Sequence, residues 1–185
     1  VPRVSPFVGL RFDLSRVGSL ERVTAPPYDV ISPDEHRRYL AASPCNVIRL
    51  DLGREPGAPG GDARYEAAGQ DLASWRRDRI LVPTEGPAYY PYEMRFSLHG
   101  RRRRIRGLVC GVELQEWGGE VVPHERTMAG PVEDRLRLLR STDANLSCIY
   151  SVFLGPNPVL GRWLDDRTGE EPDATMTDED GVEHR

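Results

Sequence analysis

Proline and glycine punctuate this chain so densely that few long elements can form between them. Sixteen prolines and eighteen glycines fall in 185 residues. Proline lacks a backbone donor and pushes the residue before it out of the helical region. Pro26-Pro27 therefore forces an extended path through "VTAPPYDVIS". Ser32-Pro33-Asp34-Glu35 reads as a helix start, with Ser32 as cap, Pro33 at the first helical position and Glu35 three residues after the cap. That helix is predicted to end near Ala42, before Ser43-Pro44. "GREPGAPGGD" (53–62) is a loop, and Pro131 opens another helix.

Between these breaks the periodicity assigns the rest. Residues 4–13 and 46–52 read as strands, the second of the buried type. Asp62 is read as the cap of a helix to about Arg79, with Tyr65, Ala68, Leu72 and Trp75 on one core stripe. Residues 88–98 and 104–117 form an antiparallel hairpin through "HGRRR". Residues 120–127 are a short strand or extended segment. The helix from Pro131 is expected to turn Leu136, Leu139 and Val132 inward. A strand at 147–155, a short helix at 159–167 and a strand-turn-strand at 173–185 complete the chain. Helices and strands mix without strict alternation, so the fold class is α+β, a mostly antiparallel sheet with flanking helices, in one domain over 1–185. The chain stops just as the last strand begins, which suggests the N-terminal portion of a longer protein.

Composition narrows the chemistry. There is no lysine, which excludes a Schiff base and a P-loop lysine. A net charge of -4 argues against nucleic acid as partner. The run Arg101 to Arg104, with Arg106, reads as a solvated turn whose charges protect a strand edge. Cys45, Cys110 and Cys148 are odd in number and far apart, with no C-x-x-C. Cys110 and Cys148 read as small core residues, and the set fits a reducing, cytoplasmic setting. No apolar run is long enough to span a membrane.

Two short segments concentrate groups that can do chemistry. In "HERT", His124 can exchange a proton near neutral pH, Glu125 can serve as a base, Arg126 can clamp a carboxylate or phosphate, and Thr127 offers a hydroxyl. The helix after it could aim free N–H groups at an anion. The alternative is a polar loop in which Glu125 and Arg126 pair in solvent. In "PPYD", a rigid backbone displays Tyr28 and Asp29; the alternative there is an ordinary turn. Asn46 can hold a loop. Asn145, at a loop-to-strand junction, can read a ligand edge or cap a helix. Glu133 and Asp134 suit a helix dipole, and Arg135 and Arg140 read as helix surface. No dinucleotide fingerprint, G-x-S-x-G, H-E-x-x-H or zinc set is present, and no metal site is assigned.

Taken in order, "APPYDVISPDE", "SPCNVIRLDL", "VVPHERTMAGPVEDRLRLLRSTDANLS" and "DEDGVEHR" resemble the N-terminal part of the bacterial and archaeal domain of unknown function 1015 family. "PPYDVI" and "HERT…DR…L" are distinctive together. Members are typically about twice this length. Their downstream half carries a "DGHHR"-type motif similar to one in ParB-like proteins and in free serine kinases, which phosphorylate L-serine with a nucleotide. By that analogy the resemblance implies a phosphotransferase acting on a small-molecule hydroxyl, with ATP or ADP and magnesium as cofactors. Arg126 would clamp phosphate, Glu125 or Asp29 would be base or metal ligand, and His124 would bridge phosphate oxygens. Tyr28, Thr127 and Asn145 would contact the ligand. The alternatives are a module that senses a nucleotide or small ligand without turnover, and an interaction domain presenting the Arg101–Arg106 hairpin.

Overall fold

The computed structural model describes residues 2–56, 61–116, 118–152 and 155–185. In chain order the strands are β1 (Val4–Ser5), β2 (Leu10–Phe12), β3 (Leu81–Pro83), β4 (Tyr90–Leu98), β5 (Arg101–Val109), β6 (Gly111–Val112), β7 (Met176–Thr177) and β8 (Glu183–His184). The helices are α1 (Leu14–Val17), α2 (Pro33–Ala42), α3 (Ile48–Asp51), α4 (Asp62–Arg77), α5 (Ala129–Thr142) and α6 (Pro158–Thr168). All strand pairs are antiparallel, so the class is α+β. The chain folds as two compact units. One comprises Val1–Gly9, Thr84–Val121 and Ile149–Arg185; the other comprises Leu10–Pro83 and Val122–Cys148.

The first unit is a sheet in the order β5-β4-β8-β7. Its frame is the nine-residue β4–β5 ladder, which pairs Tyr90 with Val109 and Leu98 with Arg101. His99 and Gly100 make the two-residue turn, both with positive φ, 50° and 72°. A turn of that kind matches the twist of the strands it joins. The last hairpin forms as the sequence reading expects, with β8 paired to both β4 and β7. Asn157 caps α6 by accepting from the Leu160 amide at 3.1 Å. Glu93 on β4 is sealed, 1% exposed, with the guanidinium groups of Arg95, Arg104 and Arg185 around it.

The second unit is mainly helical. The expected capping box opens α2: Ser32 accepts from the Glu35 amide, and Glu35 accepts from the Ser32 amide at 2.8 Å. The α4 stripe is core, with Tyr65, Ala68, Leu72 and Trp75 all buried. Burying each large member is worth about 1.5–3 kcal/mol. Gly61, however, occupies the cap position of α4, and Asp62 is its first helical residue. Leu50, Leu72, Trp75 and Leu81 form one cluster; Tyr65, Ala68 and Leu138 form another. Helices α4 and α5 meet closely at Gly69, where a Cβ would lie 2.5 Å from the Ser141 carbonyl oxygen.

Five further expectations are corrected. Residues 46–52 are not a strand. Asn46 is fully buried, donates to the carbonyls of Arg22 and Thr24, and accepts from the Ile48 amide, which starts the turn of α3. A short apolar run carries no period of its own, and the side-chain amide decides it. Residues 4–13 split into β1 and β2, which lie in different units. Helix α5 starts at Ala129, two residues before Pro131. Leu138 and Thr142 are its buried positions, Leu136 is half-buried, and Val132 and Leu139 are exposed. The expected strand 147–155 is absent over residues 147–152, where Ile149, Tyr150 and Val152 stand exposed; Phe153 and Leu154 lie outside the described residues. Cys148 is exposed and Cys110 half-buried, so neither is a core residue. No helix among the described residues is long and apolar enough to cross a membrane.

Candidate functional site

The inward face of α5 begins with charge and ends with apolar packing. Asp134, Leu138 and Thr142 are spaced four apart, so they share one side. Asp134 thereby enters the second unit beside Arg64 and Tyr65 of α4. It accepts from Arg64 and, at 2.8 Å, from the Tyr65 hydroxyl. The adjacent Arg135 reaches back to Asp134 through Nε at 2.8 Å and across to the Asp51 carboxylate at the end of α3. Arg64 and Arg135 each donate to the Asp51 carbonyl oxygen at 3.0 Å. Arg135 also lies over the Tyr28 ring, 4.0 Å from its centre.

Two arginines thus balance two carboxylates. Burial alone would raise the Asp134 pKa, but hydrogen bonds from Arg135 and Tyr65 and the charges of Arg135 and Arg64 outweigh it and hold the carboxyl below its ordinary value. Burial acts downward on Arg135, and Asp134 and Asp51 overcome it. Both side chains stay ionised at neutral pH.

Beside this network opens a cleft of about 440 Å³, within the size range of small-ligand sites. Tyr28, Arg64, Asp134, His36 and Glu55 give it polar walls. Ile31, Pro33, Leu52 and Pro131 give it apolar ones, with Ser32 and Gly130 at the two helix starts. Those starts differ. The α2 start is satisfied by its capping box. At α5, Met128 occupies the cap position and offers no side-chain acceptor. The first intrahelical bond is Val132 to Met128, so the Ala129 and Gly130 amides have no acceptor among the described residues. An uncapped helix start carries partial positive charge and free donors.

The residues singled out in the sequence are distributed unevenly around this cleft. Tyr28 lines it, half-buried, on Arg135. Asp29 follows in the same 3-10 turn (Tyr28–Val30) and is exposed. His124, Glu125, Arg126 and Thr127 are exposed on the segment leading into α5. His124 Nε2 lies 3.8 Å from Glu125 Oε1. Asn145, after α5, is exposed and is not on the cleft wall. No hydrogen bond or ion pair among the described residues joins the HERT segment to Asp29.

Sequence reasoning passed over Asp51, Arg64 and Arg135, and placed Asp134 as a mere dipole partner. The usable signal was the register of α5. Placing Leu138 and Thr142, rather than Leu139 and Val132, on the inner face brings Asp134, four residues before Leu138, to the same side. Among the described residues no three of His, Cys, Asp and Glu gather into a metal-ligand set.

Three of the quoted segments therefore meet in one unit: Tyr28 from "PPYDVI", Asp51 from "NVIRLDL", and Asp134 and Arg135 from "HERT…DR". No curated protein and no solved structure matches the chain. A family model described as "Protein of unknown function (DUF1015)" matches residues 4–185, and the chain belongs to that family.

Proposed function

We propose that the cleft of the helical unit binds a phosphate-bearing small molecule, a nucleotide, and that the protein transfers a phosphoryl group to a small-molecule hydroxyl. The observation that carries this reading is the start of α5, with Gly130 on the cleft wall and no side-chain cap, whose Ala129 and Gly130 amides have no acceptor among the described residues. Phosphoryl transfer depends on holding an anion and placing an acceptor, and helix starts are ready anion seats. In this reading Arg126 and His124, two and four residues before Met128, close over phosphate oxygens, with Thr127 beside them. Tyr28 packs against the ligand. Glu125 and Asn145 act from the flanks. A magnesium ion would be held by the nucleotide's own phosphates, with Glu55 on the wall or Asp29 next to it as the supporting carboxylate. Three cysteines without a disulfide support placing this activity in the cytoplasm.

Glu125 and Asp29 do not line the cleft. That favours one second reading, a nucleotide sensor that binds without turnover.

A thermal-shift titration tests the binding claim. Magnesium-ADP at a hundredfold excess over its Kd is expected to stabilise by about 2.7 kcal/mol. Met128→Asp supplies the missing cap, so it is expected to raise stability by about 1 kcal/mol and to weaken the nucleotide's effect. His124→Ala should weaken it too. An unchanged nucleotide shift in Met128→Asp would contradict the seat at α5.

A further inference from the structure

His36 is 4% exposed yet lines the cleft. Its Nε2 lies 2.9 Å from the carbonyl oxygen of Gly53. A carbonyl only accepts, so Nε2 carries the hydrogen, and the neutral ring keeps its lone pair on Nδ1. Nδ1 has no partner among the described residues. Gly53 holds this arrangement from two sides. Its φ of 88° aims the carbonyl, and a Cβ there would press against the Arg64 stem at 2.9 Å. The glycine therefore sets the tautomer of His36 and admits Arg64 to the same wall.

Nδ1 lacks a partner yet is not sealed from solvent, so its lone pair is open to a donor that enters the cleft. Tyr28, Ser32 and Arg64 on the same wall carry donors, but none of them bonds Nδ1 among the described residues. Glu125 and Asp29 are exposed and off the cleft wall, so they are poorer bases for chemistry inside it.

We propose that His36 Nδ1 is the base of the site and accepts the hydroxyl proton of the phosphoryl acceptor, a small aliphatic alcohol or hydroxy acid. This rests on the nucleotide reading above. The acceptor's O–H bond breaks and its proton goes to Nδ1. The freed oxygen pair forms the new O–P bond to the γ-phosphorus of the nucleoside triphosphate. The bond from that phosphorus to the bridging oxygen breaks, and its electrons leave on the nucleoside diphosphate.

Two measurements on the chain decide the matter. Imidazole nitrogen NMR, assigned with His36→Gln, reads the tautomer without any ligand. Nε2–H with a bare Nδ1 is expected; Nδ1–H overturns the proposal whatever the nucleotide does. The second compares wild type and His36→Gln for binding of magnesium-ADP, and for turnover of magnesium-ATP with a panel of polyols and hydroxy acids. Glutamine can still donate to Gly53 but cannot take the proton. It is expected to bind ADP within about threefold of wild type and to lose at least about a hundredfold in turnover. Turnover within about threefold of wild type overturns His36 as base and leaves the nucleotide reading standing. A wild-type chain that binds no nucleotide overturns that reading, and the proton step with it, even where the tautomer is as expected.

Discussion

Two arginine–carboxylate clusters in this molecule share a chemistry and differ in setting. In the sheet unit, Glu93 faces Arg95, Arg104 and Arg185, with Asp165 of α6 accepting from Arg104 at 3.2 Å. It is sealed, 1% exposed. In the helical unit, Asp51 and Asp134 bind Arg64 and Arg135 on the edge of an open cleft, next to a helix start whose first amides have no acceptor among the described residues. Ion pairing alone therefore says little about function. What separates the two is access: Glu93, whose Oε2 is itself buried without a hydrogen-bond partner, is sealed, whereas the Asp51–Asp134 network borders an open cleft.

Mutation should pull the two apart. Glu93→Ala strips three guanidinium groups of a sealed counter-charge and is expected to cost roughly 3 kcal/mol in denaturant unfolding. It is the largest effect expected. Gly69→Ala follows, at about 1–3 kcal/mol, because a methyl there meets the Ser141 backbone rather than a side chain that can yield. It should also weaken nucleotide binding, since the α4–α5 approach sets Arg64 against Asp134. Wild-type stability with unchanged nucleotide affinity in Gly69→Ala would show that the close approach is not needed.

Asp134→Asn gives the smallest and most pH-dependent effect. The folded-state pKa of Asp134 lies below its ordinary value, so its contribution is present above the unfolded pKa of about 3.9. As pH falls the unfolded chain binds the proton first, and the contribution is lost through the lower folded value. The stability gap between wild type and Asp134→Asn is expected to be about 1.5 kcal/mol near neutral pH and to close below about pH 4. A gap that stays constant down to the acid transition would contradict the charged network.

Local signals were legible in the sequence wherever one short segment settles its own structure. Ser32 to Glu35 builds its cap from four consecutive residues. The hairpin was expected through all of "HGRRR", but only His99-Gly100 turns and Arg101 to Arg103 pair within β5; the α4 stripe repeats clearly over three turns. Residues 46–52 were misread because Asn46 reaches carbonyls more than twenty positions back, a choice that no window on the run contains. Residues 147–152 looked like a strand on hydrophobicity, but among the described residues no strand pairs with them.

The site was legible in the same uneven way. Tyr28 and the HERT segment drew notice because rare groups stand together. Arg64 and Arg135 did not, because an arginine on a helix reads as surface until the helix's register is known. His36 carries no signal at all in "DEHRRYL". Its interest comes from Gly53, seventeen residues on, which settles which nitrogen is free.

The most direct test of the central claim is an amide NMR titration of the chain with magnesium-ADP. The account predicts that the largest shifts fall on the Ala129 and Gly130 amides, with smaller ones at Tyr28 and Ser32. Shifts centred on Arg101 to Arg103, or none at the start of α5 under saturating nucleotide, would contradict it.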